Sequence, residues 1–153
     1  MKSIIKISHK DPVLRAFMLF AQMAGAVIRY SESRFNRETG LSLSHYVALK
    51  GLQFNEGKMT HAELANWTNT KQHNITTLVR RMASEKLVTT ERDSIDKRVI
   101  YVIMTPHGED ALVKANPVAF LIMEQMMEGM GRNKALQFER LLMVMKRNLV
   151  QAE

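Results

Sequence analysis

Apolar positions along the chain change their spacing several times, and each change marks an element. The stretch VLRAFMLFAQMAGAVIRYSESRF places Leu14, Phe17, Ala21, Ala24 and Ile28 on one stripe and Phe20, Met23 and Val27 on a second. So wide a stripe predicts a long helix buried on more than one side. Asp11-Pro12 supplies its start, a capping carboxylate followed by proline at the first helical position. Gly40, in RETGLS, is a candidate left-handed stop. Ser42 can cap a second helix carrying Tyr46, Val47, Leu49 and Leu52 inward, and NEGK then reads as a turn centred on Gly57. Thr60 to Glu63 match the capping-box pattern, which opens a short helix through Leu64 and Ala65.

The next helix has its apolar set at Ile75, Leu78, Val79 and Met82, an i, i+3, i+4, i+7 spacing. Its opposite face holds His73, Thr76, Thr77 and Arg80. Spacing then shifts to strand-like runs. LVTTER and RVIYVIM are rich in β-branched and aromatic residues and flank a polar tip, DSID, which predicts a β-hairpin. Thr105-Pro106 begins another helix, with Glu109 and Asp110 near its positive end. Pro117 should kink or interrupt that helix. EGMGRN breaks the chain again, and the last helix, from about Asn133, carries Phe138, Leu141, Leu142, Met145 and Leu149 on one face. The pattern is therefore mainly α with a small β-hairpin: a helix-turn-helix and wing flanked by long helices.

Composition narrows the chemistry. The chain has 153 residues, of which 46% are hydrophobic, enough for a core and one domain. No continuous apolar run approaches the roughly 20 residues of a membrane helix, and MKSIIKISHK lacks the long apolar stretch of a signal peptide. A cytoplasmic location, with no membrane partner, is the expectation. There is no cysteine, which excludes disulfides, thiolate zinc sites and thiol redox switches. Net charge is +7, which favours a polyanionic partner, although solubility alone would also account for it. The histidines (9, 45, 61, 73 and 107) form no metal-binding spacing, and the 12 methionines read as adaptable core filler. No cofactor is expected. Neither a nucleophile elbow nor a Gly-rich phosphate loop is present, so an enzyme is not expected either.

Residues 41–114 carry a more specific pattern. Asp96-x-Arg98, five residues, then Met104-Thr105-x-x-Gly108 resembles the wing signature D-x-R-x5-L-T-x-x-G of the multiple-antibiotic-resistance regulator (MarR) family, with methionine for leucine. MTHAELA resembles that family's L-T-x-x-E-L-A, ITTLVRRM its recognition-helix ending, and GLSLSHYVALKGL its second helix. The resemblance implies a single domain over 1–153, with a winged helix-turn-helix at 42–105 and dimerisation helices at 11–36 and 106–150. It implies a homodimeric transcriptional regulator, most often a repressor, on a pseudo-palindromic operator in double-stranded DNA. Release by a small aromatic ligand is also common in that family. Lys86 stands where many members have glycine, and Thr77 where many have arginine.

Physical chemistry assigns roles within that frame. Gln72, His73, Asn74, Thr76 and Thr77 are short polar side chains near a helix N-terminus, suited to base edges. Arg80 lies about two turns along, suited to phosphate. Arg92, Lys97 and Arg98 bring positive charge to the wing, where the resemblance sends Arg98 into the minor groove. Asp96, with Asp93, would orient the arginine or the backbone of the tip. Phe17, Tyr30, His45 and Tyr46 are candidates for a ligand pocket, although core packing accounts for them equally well. The competing function is a winged-helix module that holds protein or RNA without operator specificity.

Overall fold

The computed structural model describes residues 11–152. Among them the order is α1 (Pro12–Thr39), α2 (Leu43–Phe54), β1 (Lys58–Thr60), α3 (His61–Trp67), α4 (Gln72–Ser84), β2 (Val88–Arg92), β3 (Ile100–Met104), α5 (Pro106–Met126) and α6 (Arg132–Ala152). The chain divides into two compact units, one up to Val118 and one from Ala119 onward.

In the first unit, local sequence sets the helix ends. The Val13 and Leu14 N–H groups donate to Asp11 Oδ1 at 2.7 and 3.1 Å, capping α1. Gly40, at φ 70°, ends α1 in the left-handed conformation, and its N–H donates to the Asn36 carbonyl. Ser42 Oγ accepts from His45 N at the start of α2. The Thr60–Glu63 capping box is complete: Glu63 N donates to Thr60 Oγ1 at 3.2 Å and Thr60 N to Glu63 Oε2 at 2.8 Å.

The core of this unit is drawn from every element except the tip of the wing. Phe35 of α1, Leu49 and Leu52 of α2, Leu64 of α3, Ile75, Val79 and Met82 of α4, Val102 of β3 and Leu112 of α5 are all buried. Three strands pair antiparallel in the order β1-β3-β2, with Met59 opposite Val102 and Thr90 opposite Val102 on the other side. The sequence pattern predicts only the β2–β3 hairpin. β1 is too short to carry a period of its own, and its partners, Tyr101 to Ile103, lie some forty residues away in the chain.

Three further expectations need correction. Pro117 does not interrupt α5, which continues to Met126 although Pro117 has no N–H to offer the carbonyl one turn back. The division between the two units nevertheless falls just after it, at Val118. Next, α1 is not buried on more than one side: its buried residues are Ser31 and Phe35, near its C-terminal end, while Phe17 and Leu19 are 58% and 60% exposed. Finally, α1 is long and apolar enough, by length and composition, to cross a membrane. Scattered polar residues break the apolar run without lowering the average. Burial of Phe35 among the first unit's core residues gives α1 a role in a folded unit.

The second unit holds the end of α5 and all of α6. Gly129, at φ 74°, lies in the turn between the two helices. On α6 the apolar face predicted from sequence is open: Phe138, Leu141 and Leu149 are exposed, and Leu142 and Met145 are partly so.

Candidate nucleic-acid interface

α4 is held by its apolar stripe, which is what frees its other face. Ile75, Val79 and Met82 are fully or nearly fully buried. Half a turn away, His73, Asn74, Thr76 and Arg80 are exposed, and Thr77 is partly so. Because His73, Thr76, Thr77 and Arg80 repeat the i, i+3, i+4, i+7 spacing, they form one polar strip along α4. Gln72 begins the helix, but its side chain lies outside the described residues. Lys71, before it, caps α4 without a side-chain bond, so the first N–H groups of α4 are not capped by that side chain. A short turn joins α3 to α4; Thr70 N donates to the Ala65 carbonyl at 2.9 Å and Asn69 takes φ 50°.

The wing tip, residues 93–99, is organised by its two aspartates. Asp93 Oδ1 accepts from both Ile95 N and Asp96 N at 2.8 Å. Asp96 Oδ1 accepts from Arg98 N at 3.0 Å. The carboxylate thus engages the backbone of Arg98, the second of the two alternatives that the sequence left open. Donation by Asp96 N and then Ile95 N holds the Asp93 carboxyl below its ordinary pKa. Arg92 Nη1 donates to the Lys97 carbonyl at 2.9 Å, closing the tip from the other side. Arg92, Lys97 and Arg98 remain exposed, so three cations ring a tip whose acids are directed at its own N–H groups.

At its base the wing is tied to the end of α4 and the start of α5. Lys86 takes φ 60°, so the position where the MarR family often has glycine is left-handed here too. The Thr105 hydroxyl shares its proton between the Lys86 and Leu87 carbonyls, at 2.6 and 3.0 Å, and accepts from Gly108 N at 3.0 Å. Gly108 is buried against the Leu87 carbonyl; a Cβ there would sit 2.1 Å from that oxygen. This contact explains why the signature needs both threonine and glycine.

The four proposed pocket residues have different surroundings. Phe17 is exposed on α1, and Tyr30 accepts a hydrogen bond from Arg34 one turn along the same helix. His45 is buried with Nδ1 3.2 Å from Glu85 Oε2. Tyr46 packs on Phe35, ring centroids 4.7 Å apart, and donates to Asn116 Oδ1 at 3.2 Å. A cavity of about 280 Å³ lies between Gly40, Leu41, Glu85, His107 and Lys114, and none of the four lines it. His9 lies outside the described residues.

Two further residues have structural roles. Trp67 Nε1 donates to the Val47 carbonyl at 2.9 Å, and its ring lies so close to Gly51 that a Cβ there would be 2.5 Å from it. Trp67 thereby fixes α3 on α2. For Asp93 the sequence left open whether it orients the arginine or the tip backbone; the signal for the backbone is an aspartate two and three residues before the amides it caps.

Comparison with known proteins agrees with this geometry. Residues 41–108 match the profile described as a winged helix DNA-binding domain. Residues 41–108 thus form a winged helix DNA-binding domain. No curated protein matches the chain. Among solved structures it is similar to AbsC, a MarR family transcriptional regulator from Streptomyces coelicolor. Identity is 19%, covering 95% of this chain and 99% of that one, with a TM-score of 0.85. It is also similar to Sco3205, a MarR family regulator from the same organism solved in complex with DNA. There the identity is 16%, the coverage 94% and 93%, and the TM-score 0.85. A third is Bordetella bronchiseptica BpsR, described with regulation of its DNA binding by 6-hydroxynicotinic acid. It shows 19% identity, 84% and 98% coverage, and a TM-score of 0.69. The chain has the winged helix-turn-helix fold of the MarR family.

Proposed function

We propose that the protein is a transcriptional regulator that binds a pseudo-palindromic operator as a homodimer and represses the genes beside it. The observation that carries this reading is the pairing of an exposed polar strip on α4 with a cationic wing inside one winged helix unit. The strip offers hydroxyl, amide and imidazole groups to base edges, with His73, Asn74, Thr76 and Thr77 as the readers and Gln72 beside them in sequence. Arg80, Arg92 and Lys97 meet phosphates, and Arg98 meets the minor groove. Asp96 keeps the tip in shape.

Dimerisation is supported by apolar surface that a lone chain leaves in water. Phe17, Leu19 and Ile28 on α1 and Leu141, Leu149 and Val150 on α6 are each more than half exposed. Patches of this kind mark association surfaces, and twofold pairing would place two α4 helices about one DNA turn apart. Cytoplasmic residence beside the chromosome follows from that function.

A small aromatic ligand, as in the BpsR comparison, would act by preferring a dimer whose helix spacing misfits DNA.

The test is footprinting on the DNA around the protein's own gene, with and without aromatic carboxylates, combined with light scattering in solution. A protected twofold site and a dimer mass are expected. Equal competition by random duplex would overturn operator specificity in favour of generic polyanion binding.

A further inference from the structure

Ile95 is 94% exposed, more than any other large apolar side chain among the described residues. It stands at the crest of a tip otherwise built from Asp93, Ser94, Asp96, Lys97 and Arg98. That tip is not loose. Asp93 Oδ1 holds the N–H groups of Ile95 and Asp96, Asp96 Oδ1 holds Arg98 N, Val99 N donates to the Asp96 carbonyl at 2.9 Å, and Arg92 closes on the Lys97 carbonyl. The backbone is thus fixed in a form that leaves a branched hydrocarbon in water while one oxygen of each carboxylate accepts from the tip's own N–H groups.

We propose that Ile95 is a minor-groove contact and a determinant of sequence preference. The inference rests on the DNA-binding reading above and names a group that reading leaves unused. The tip that carries Ile95 also carries exposed Arg92, Lys97 and Arg98, charge that matches a polyanion and would be costly to desolvate against an apolar protein surface. The minor groove offers both partners together: phosphates on its rims and apolar deoxyribose walls between them. Once Arg92 and Lys97 engage the rims and Arg98 the groove, Ile95 enters beside Arg98 and packs on sugar and base edges. An aliphatic wedge there favours steps that unstack or widen at little cost, such as TA and CA, over stiff A-tracts. The preference arises at base pairs that no hydrogen-bonding side chain reads.

The experiment uses the full-length protein and the duplex that it protects, prepared in two forms that differ only beneath the wing, with a TA step or with an A-tract. Wild type is expected to prefer the TA form. Ile95→Ala should bind the TA form on the order of tenfold more weakly, the loss of a buried aliphatic side chain, and bring the two forms close together. Ile95→Val should retain most of the preference. Salt dependence should not change in either variant, because no charge is altered. Equal affinity of wild type and Ile95→Ala on both forms overturns the proposal while leaving the DNA-binding reading intact. Failure of wild type to select any duplex overturns that reading, and this proposal with it. Thermal melts of both variants guard against misfolding, and an exposed tip residue should leave them unchanged.

Discussion

Replacing Gly108 with alanine brings a methyl carbon to 2.1 Å from the Leu87 carbonyl oxygen, 3.0 Å from the Leu87 carbonyl carbon and 3.2 Å from Met104 Cγ. The first two are backbone atoms at the root of the wing, and they cannot rotate away as a side chain can. Relief requires the first turn of α5 to withdraw from β2. Withdrawal stretches the bonds that join them: Thr105 N to the Leu87 carbonyl at 3.1 Å, the Thr105 hydroxyl to the same carbonyl, and Gly108 N to that hydroxyl. Overpacking a tight site costs about 1–3 kcal/mol, and each weakened hydrogen bond about 1 kcal/mol. With three bonds weakened the sum is about 5 kcal/mol, which for a chain of this size lowers the melting temperature by about 15 °C. Circular dichroism melts at one fixed protein concentration read the shift without a contribution from altered association. Gly131→Ala is the control, since a Cβ there meets nothing within 4 Å. A Gly108→Ala melt within about 2 °C of wild type, against the several degrees that the strain predicts, would refute the reasoning.

Other expectations follow from the same region and from the wing. Lys86→Gly should stabilise the fold by about 1 kcal/mol, because lysine at φ 60° carries a left-handed strain that glycine lacks; the urea midpoint reads it. Asp93 has a depressed pKa in the folded tip, so its contribution is present above the ordinary carboxylate value and is lost as pH falls through the depressed one. Amide exchange at Ile95 and Asp96 should therefore lose protection below about pH 4, and Asp93→Asn should remove that pH step; a step that survives the substitution would assign it elsewhere. Arg80→Ala should weaken binding to all duplexes alike and lower the salt slope by about one unit, whereas Thr76→Ala should change base preference, as competition binding would show.

How much was legible in the sequence depended on how local the cause was. The Asp11 cap, the Gly40 stop and the Thr60–Glu63 box each involve residues within four positions, and all are read directly from residue type and spacing. The hairpin and the buried stripe of α4 follow from short-range period in the same way. β1 was invisible because its cause is pairing with residues far along the chain. Of the two outcomes expected at Pro117, interruption does not occur, because the local rule weighs one missing bond, whereas the packing of Leu112, Ala115 and Val118 on the α5 stretch around it carries the helix onward. At the interface, residue types on α4 and the wing were legible, but the direction of the aspartates was not. Nothing in D-S-I-D states whether a carboxylate faces a guanidinium or an amide. Tyr46 illustrates the same limit in the core: its aromatic type fits a pocket or a packing role, and only contact with Phe35 and Asn116 shows where it sits.

The Thr105 hydroxyl bridges three segments that move apart in few other ways: the exit from α4, the first wing strand and the opening turn of α5. Such a rivet makes the root of α5 a tiller for the grip on the double helix. One hydroxyl therefore ties the set of the wing to that of the trailing end of α4 and the opening turn of α5, and a change at any of the three is felt by the other two.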